Sequence, residues 1–270
     1  MRLGLSSYAC TWAIGMPGYP PAQPMDGCAL LRATRALGVG LLQIADNLPL
    51  HTLDEAEIAE LERLDRELGV AIELGTRGMA PDQLSRYLDL AVRLGSPILR
   101  LIVDSQNDRP SVTEIVRRLR ELLPRLERDG ITLAIENHDR LPTSALCEIM
   151  QACDSPWVGI CLDTVNSFGA LEGPERVVEA LAPWTINLHL KDFAVTRDQS
   201  QMGFSIEGRP AGEGRLDVPW LLERLRAEGR DPNAIIELWT PYGPDLAQTI
   251  AREADWARRS VSNMRPLIPA

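Results

Sequence analysis

Three acidic side chains and one histidine lie at the ends of four consecutive apolar runs in the second half of the chain. The segments ITLAIE, VGICLD, TINLHL and AIIEL contain Glu136, Asp163, His189 and Glu237 at corresponding positions. An isolated charge is costly to bury in such a run unless it is paired or binds a metal. Four of them in successive runs therefore indicate a common centre where the ends of the strands meet.

These four side chains form a mostly oxygen-rich ligand set, which suits one divalent cation with open coordination positions. Mn²⁺ is the metal we favour, with Mg²⁺, Co²⁺, Fe²⁺ or Zn²⁺ as alternatives. A substrate carbonyl and a neighbouring hydroxyl would take the open positions, and the metal-bound enediolate would be stabilised. Glu136 and Glu237 approach from different strands, so each is a candidate catalytic residue that takes or gives a proton. The alternative is that all four are barrel residues satisfied by buried hydrogen bonds and ion pairs.

Two polar residues near this set are candidates for substrate binding. Asn166 follows Asp163 by three residues, and its amide can hold a substrate oxygen but cannot move a proton. Lys191 follows His189 by two residues, so both project to the same side of the strand. Lys191 is thus placed to meet a substrate carboxylate or phosphate, and a salt bridge with Asp192 or another acidic residue at the rim is the alternative.

Short apolar runs alternate with amphipathic helical stretches along the whole chain. The predicted strands span residues 2–6, 41–45, 70–74, 98–103, 131–136, 157–163, 185–190 and 234–239. The predicted helices span residues 26–37, 53–68, 81–94, 112–128, 143–152, 174–181, 218–227 and 245–259. Eight βα units imply parallel strands and a (β/α)8 barrel, formed by a single α/β domain over residues 1–270. An open doubly wound sheet is disfavoured because no G-x-G-x-x-G follows the first strand.

Two connections are longer than an alternation of strands and helices requires, namely residues 8–25 and residues 192–217. Both follow strands, on the side of the barrel where such enzymes carry their sites. Loops of this length in a compact domain are usually functional. Arg197 and Arg209, on the second connection, are therefore further candidates for substrate binding, with a solvated surface role as the alternative.

The composition excludes several classes of protein. The 270 residues carry a net charge of −10, which argues against nucleic acid as a partner. No apolar run approaches the ~20 residues of a membrane span, and the first residues lack the core of a signal peptide. The five cysteines form no C-x-x-C pair. We therefore expect a cytoplasmic protein with a small-molecule partner and no membrane contact.

The segments AIENH, CLDTVNS, NLHLKD and IIELW resemble the xylose isomerase-like barrel superfamily. This group includes sugar phosphate isomerases and epimerases, inosose dehydratases and the AP endonuclease family 2 proteins. The resemblance implies a metal-dependent isomerase or epimerase that acts on a small keto-sugar or sugar acid. It also implies that Glu136 and Glu237 are both metal ligands and proton-transfer residues, and that the chain forms homo-oligomers.

The sequence departs from this group at two points. Epimerases and endonucleases of the group often show Asp-x-x-His, where this chain has Asn166 as the last residue, which argues against ordinary ketose 3-epimerisation. The endonucleases need several more histidine ligands for three zinc ions. His51, His138 and His189 are the only histidines of the sequence, so a DNA-repair role is disfavoured.

A narrower resemblance rests on LGLSSYA, LLQIADNLPL, IELGTRG, LDTVNS and HLKDF, which look like 3-oxo-isoapionate decarboxylases. It implies the loss of CO₂ from a 3-oxo sugar acid at the same metal site, as an alternative to isomerisation. A positively charged side chain would be needed to bind the substrate carboxylate. The candidates are Lys191, Arg197, Arg209 and Arg100. Loss of water from the same intermediate and a non-catalytic sugar-binding barrel remain further alternatives.

Overall fold

Parallel strands form a closed barrel at the centre of the protein. The computed structural model describes residues 1–268. Its barrel strands are β1 (Leu3–Ser6), β2 (Leu41–Ile44), β3 (Ala71–Arg77), β4 (Ile98–Ile102), β5 (Thr132–Glu136), β6 (Val158–Asp163), β7 (Thr185–Leu190) and β10 (Asn233–Ile236). The ring closes where β1 pairs in parallel with both β2 and β10. The predicted α/β fold, a (β/α)8 barrel, is therefore confirmed.

Helices surround this barrel. They are α1 (Thr11–Ile14), α2 (Gly27–Ala36), α3 (Glu55–Leu68), α4 (Pro81–Arg93), α5 (Val112–Asp129), α6 (Thr143–Cys153), α7 (Pro174–Leu181), α8 (Val218–Ala227) and α9 (Leu246–Met264). The two ends of α3 show how the local sequence determines where a helix begins and ends. Asp54 and Glu57 form a capping box at its start, and Gly69 ends it in the left-handed conformation at φ 63°.

The core lies between the barrel and the helices. On β4, Leu99 and Leu101 are buried and belong to the same hydrophobic cluster as Ile115 and Leu119 of α5. Burial of each such side chain contributes roughly 1.5–3 kcal/mol. Because successive residues of a strand point to opposite faces, Arg100 points the other way, into the barrel. The barrel thus has an apolar outer face and an interior that accepts polar side chains.

The connection at residues 192–217, predicted only as a long loop, contains two further strands. β8 (Asp192–Arg197) and β9 (Phe204–Arg209) pair antiparallel as a hairpin. Several of its side chains point to solvent, and the side chain of Phe204 is 61% exposed. Sequence periodicity missed the hairpin because it lacks a buried face over most of its length.

Two anchors hold this hairpin at the mouth of the barrel. The carboxylate of Asp192 accepts hydrogen bonds from the backbone N–H groups of Gly212 and Gly214, each at 2.9 Å. A Cβ atom on Gly208 would lie 2.3 Å from the carbonyl oxygen of Trp239. Only glycine therefore allows β9 to pack this closely against the segment that follows β10.

The third strand runs further than the predicted residues 70–74. β3 continues through Gly75 to Arg77, which brings Arg77 to the mouth of the barrel. A Cβ atom on Gly75 would lie 3.2 Å from Cδ of Arg100, so the glycine leaves room for that buried arginine. Among residues 1–268, no helix combines the length and the apolar character that a membrane crossing needs.

Candidate functional site

The four side chains predicted as metal ligands meet at the carboxyl ends of their strands. Glu136, Asp163, His189 and Glu237 are each at most 1% exposed. Nδ1 of His189 lies 3.4 Å from Oε2 of Glu136, 3.7 Å from Oδ2 of Asp163 and 3.4 Å from Oε1 of Glu237. The strand register helps to bring these side chains together, because Asp163 on β6 is paired with His189 on β7.

Three atoms of this group have no hydrogen-bond partner in the described chain: Oδ2 of Asp163, Nδ1 of His189 and Oε2 of Glu237. The two carboxylate oxygens form ion pairs with Lys191, whereas Nδ1 of His189 faces only carboxylates, and a buried polar atom without a hydrogen bond is rare and calls for an explanation. The three residues can offer ligand atoms that all lie within 4.8 Å of one another. A carboxylate pair with an imidazole nitrogen suits a divalent cation. The residues present therefore fit a metal ion at this point.

Lys191 provides a positive charge beside the same carboxylates. Its Nζ lies 2.8 Å from Oδ2 of Asp163 and 2.8 Å from Oε2 of Glu237, so it forms an ion pair with each. It also donates to Oδ1 of Asn166 at 3.2 Å. Burial alone would lower the pKa of Lys191, but Asp163 and Glu237 outweigh it and raise the pKa. The salt bridge that the sequence left as the alternative for Lys191 is therefore formed, but with Asp163 and Glu237 rather than with Asp192.

Both glutamates of the group are tied to neighbouring side chains. Glu136 accepts from Arg100 at one oxygen and from Nδ2 of Asn166 at the other, at 2.6 Å. Glu237 accepts from Oγ of Ser6 at 2.8 Å. Burial alone would raise the pKa of Glu237, but His189 and the nearby cations hold it below its usual value. Both carboxylates are thus suited to hold a positive charge.

A layer of polar side chains beneath the group sets the orientation of His189. Gln43 donates to Oδ1 of Asn187 at 3.0 Å and to Glu73 at 3.3 Å, and Asn187 also donates to Glu73. The amide nitrogen of Gln43 therefore points toward Glu73 and Asn187, and its amide oxygen lies 2.7 Å from Nε2 of His189. Nε2 therefore carries a proton, and with a metal ion at the cluster the lone pair of Nδ1 would be available to coordinate it.

A chain of ion pairs connects this centre to the rim of the barrel. Arg100 is 1% exposed and bridges Glu136 and Asp46, with its Nη1 donating to Oδ1 of Asp46 at 2.6 Å. Asp46 in turn accepts from Nε of Arg77 at 2.9 Å. Asp46 thus pairs with both arginines.

A cavity of about 390 Å³ opens above the centre, a volume in the range of small-molecule sites. Its lining includes the predicted substrate residues Asn166 and Lys191, together with Tyr8, Trp12, Arg77, Arg100, His138 and Trp239. Arg197 and Arg209 do not line it. Arg197 stacks on Phe204, 4.2 Å from the ring centroid, and Arg209 contacts Glu207. Both belong to the hairpin of β8 and β9.

The sequence of residues 19–260 matches the family described as xylose isomerase-like TIM barrel. The chain belongs to this family. It is 36% identical to the 3-oxo-isoapionate decarboxylase of Pectobacterium atrosepticum over 262 residues, which covers 97% of this chain and 94% of the relative.

Solved structures show the same fold at much lower identity. This xylose isomerase-like barrel aligns with a D-psicose 3-epimerase, determined in the presence of D-fructose, with a TM-score of 0.73 and 13% identity over the full length of both chains. It aligns with a xylose isomerase-like TIM barrel protein from Mycobacterium smegmatis, in complex with magnesium, with a TM-score of 0.70 and 16% identity over 97% of each chain.

Replacing Gln43 with Leu is expected to weaken metal binding by this xylose isomerase-like barrel about 10- to 100-fold, because the tautomer and orientation of His189 lose their support. Isothermal titration of the metal-free protein with Mn²⁺ measures the effect without any substrate. Gln248→Leu, at an exposed site on α9, is the matched control and should leave the affinity unchanged. Equal affinities for wild type and Gln43→Leu would show that the hydrogen bond does not position the imidazole.

A buried carboxylate on α9 holds one wall of the cavity. Glu253 is 2% exposed, and its oxygens accept from the backbone N–H groups of Trp12 and Ala13 at 3.1–3.2 Å. The indole of Trp12 donates to the carbonyl of Thr240 at 2.8 Å. The segment that carries α1 is thus fixed over the cavity. Burial raises the pKa of Glu253 to about 7.

This pKa predicts a dependence of stability on pH. The folded state binds the proton of Glu253 more tightly than the unfolded chain, whose pKa is near 4.5. The free energy of unfolding should therefore fall as pH rises from about 5 to about 8, by up to roughly 3 kcal/mol from this group. Urea unfolding at both pH values should show that fall in wild type and its loss in Glu253→Gln. Parallel pH profiles for wild type, Glu253→Gln and the surface control Glu223→Gln would refute the prediction.

Proposed function

We propose that this chain is a divalent-metal-dependent decarboxylase of a 3-oxo sugar acid. The observation that carries the proposal is its 36% identity, over 97% of its length, to a protein named 3-oxo-isoapionate decarboxylase. We propose further that Glu136, Asp163, His189 and Glu237 hold one cation, with Mn²⁺ or Mg²⁺ as the candidates. Such a cation would supply positive charge for the oxygen on which the reaction develops negative charge.

The state of the two glutamates supports decarboxylation over isomerisation. Isomerisation and epimerisation begin when a base removes a proton from carbon. Glu136 accepts from Arg100 and Asn166, and Glu237 accepts from Ser6. To act as a base, either carboxylate would have to give up one of these partners. Decarboxylation needs no such base, because the departing CO₂ leaves its bonding electrons behind.

In this reaction the bond between C2 and the carboxylate carbon breaks, and CO₂ leaves. The electron pair passes to C2 and the C3 carbonyl oxygen as an enolate, and a proton added at C2 completes the product ketone. Tyr8 and Lys191 line the cavity, and both retain their protons. Burial raises the pKa of Tyr8, and two carboxylates raise that of Lys191 against the effect of its burial. We propose that one of these two protonated groups donates the proton to C2.

Isomerisation or epimerisation, the reaction expected from the superfamily pattern, is the second candidate. It is favoured by the arrangement of Glu136 and Glu237 around one centre, each 3.4 Å from Nδ1 of His189. For that reaction one of the two carboxylates must leave its present partner and take a proton from the substrate. The prediction that they transfer protons remains open to test.

One experiment separates the two reactions. The Mn²⁺-loaded protein is incubated in D₂O with 3-oxo-isoapionate and, separately, with neutral ketoses such as D-fructose and D-tagatose. We expect CO₂ release and one deuterium at C2 of the product from the acid, and no exchange in the ketoses, as followed by ¹³C and ¹H NMR. Isomer formation or proton exchange in the ketoses without CO₂ from the acid would instead establish an isomerase.

A further inference from the structure

Arg77 ends β3 at the boundary between two hollows of the barrel mouth. It lines the cavity above the candidate metal centre and also a second hollow of about 420 Å³. His138 is shared by the two in the same way. The side chain of Arg77 is 36% exposed. A molecule that enters the cavity through the second hollow therefore passes this guanidinium.

The geometry of Arg77 leaves its outer edge available. Nε donates to Oδ2 of Asp46 at 2.9 Å, which fixes the guanidinium plane. Within residues 1–268, the two terminal nitrogens of Arg77 have no hydrogen-bond partner. They form a fork of the shape that binds a carboxylate through two parallel hydrogen bonds. Asp46 is itself held by Arg100, so the fork has a rigid support.

The other cations considered for a substrate carboxylate are already engaged. Lys191 is ion-paired with Asp163 and Glu237 at 2.8 Å and donates to Oδ1 of Asn166 at 3.2 Å. Arg100 is buried between Glu136 and Asp46. Arg197 and Arg209 lie on the hairpin and do not line the cavity. Among these groups, Arg77 therefore has the donors that a carboxylate needs.

We infer that Arg77 binds the carboxylate of the substrate and thereby makes the site selective for sugar acids over neutral ketoses. The inference rests on the proposed function, since it assigns the anionic end of that substrate to a residue. Held by this fork, the carboxylate lies at the rim while the carbonyl end reaches the candidate metal centre. Arg77 is thus a substrate-binding residue, which the sequence pattern did not single out for this role.

The test measures binding rather than turnover. D-Erythronate, a four-carbon sugar acid, and L-erythrulose, a neutral four-carbon ketose, are titrated into the Mn²⁺-loaded protein by calorimetry. We expect wild type to prefer the acid, and Arg77→Met to weaken erythronate binding about 10- to 100-fold while leaving erythrulose binding unchanged. Arg77→Lys should recover only part of the loss, because an ammonium lacks the fork. Arg109→Met, at an exposed arginine of the second hollow, is the charge-matched control.

Two results would overturn the inference. One is equal binding of erythronate by wild type and Arg77→Met, with unchanged metal content and thermal unfolding. The other is an equal loss in Arg109→Met, which would show a general effect of charge. Failure of the proposed function would give a different experimental result. In that case erythronate binding still depends on Arg77, and no CO₂ is released from 3-oxo-isoapionate.

Discussion

Glu237→Gln is expected to lower CO₂ release from 3-oxo-isoapionate by about three orders of magnitude and to weaken Mn²⁺ binding. The variant removes one negative charge from the cluster that faces Nδ1 of His189, and its amide nitrogen would point a donor at Lys191 or at the metal. Metal-assisted charge stabilisation contributes several kcal/mol, and each 1.36 kcal/mol corresponds to a factor of ten in rate. Turnover and bound metal are measured on the same preparation.

Glu207→Gln is the matched control for this variant. Glu207 lies on β9, is exposed, and contacts Arg209 of the same hairpin. It should retain wild-type turnover and metal content. A Glu237→Gln protein that keeps its metal and loses less than about tenfold in turnover would contradict the assignment of Glu237 to the metal centre. Glu136→Gln tests the other predicted glutamate in the same way.

Arg100→Met is expected to reduce the free energy of unfolding by about 3–5 kcal/mol. Arg100 is 1% exposed and pairs with both Glu136 and Asp46. Methionine fills similar space but leaves the two carboxylates without that partner. Removing one member of a buried ion pair carries a cost of this size, because the remaining charge is uncompensated. Urea unfolding of the metal-free protein at pH 7.5 measures the change.

Arg117→Met serves as the comparison on the surface. Arg117 pairs with Glu114 and Glu121 along α5, and its side chain is 55% exposed. Exposed pairs of this kind contribute at most about 1 kcal/mol. If Arg100→Met destabilises no more than Arg117→Met, the buried network does not depend on Arg100 as its central cation.

The barrel could be predicted from the sequence because its periodicities are unambiguous. Ile58, Leu61 and Leu64 recur at helical spacing between an aspartate cap and a terminal glycine, and α3 forms there. The hairpin of β8 and β9 could not be predicted in the same way. Its side chains are largely exposed, so no apolar alternation marks the strands, and the contact of Gly208 with Trp239 depends on the folded chain.

The candidate ligands could be predicted because a charged side chain at the end of an apolar strand is costly to bury unless it is paired or binds a metal. The residues that support these ligands are marked less clearly in the sequence. Gln43 in LLQIA and Asn187 in TINLHL are polar residues inside apolar runs, which marks them as inward-facing. Which partner each one binds depends on the closure of the barrel, since Gln43 and Asn187 are 144 residues apart. The role of Arg77 likewise requires the spatial relation of two hollows.

The measurement that tests the central claim most directly is CO₂ release as a function of bound metal. Metal-free protein is titrated with Mn²⁺, and 3-oxo-isoapionate labelled with ¹³C in its carboxylate is followed by NMR together with metal analysis. We predict one CO₂ for each substrate consumed, activity that saturates at one metal per chain, and its loss with EDTA. Substrate consumption without labelled CO₂, or CO₂ release that persists at full rate in the metal-free protein, would contradict the account.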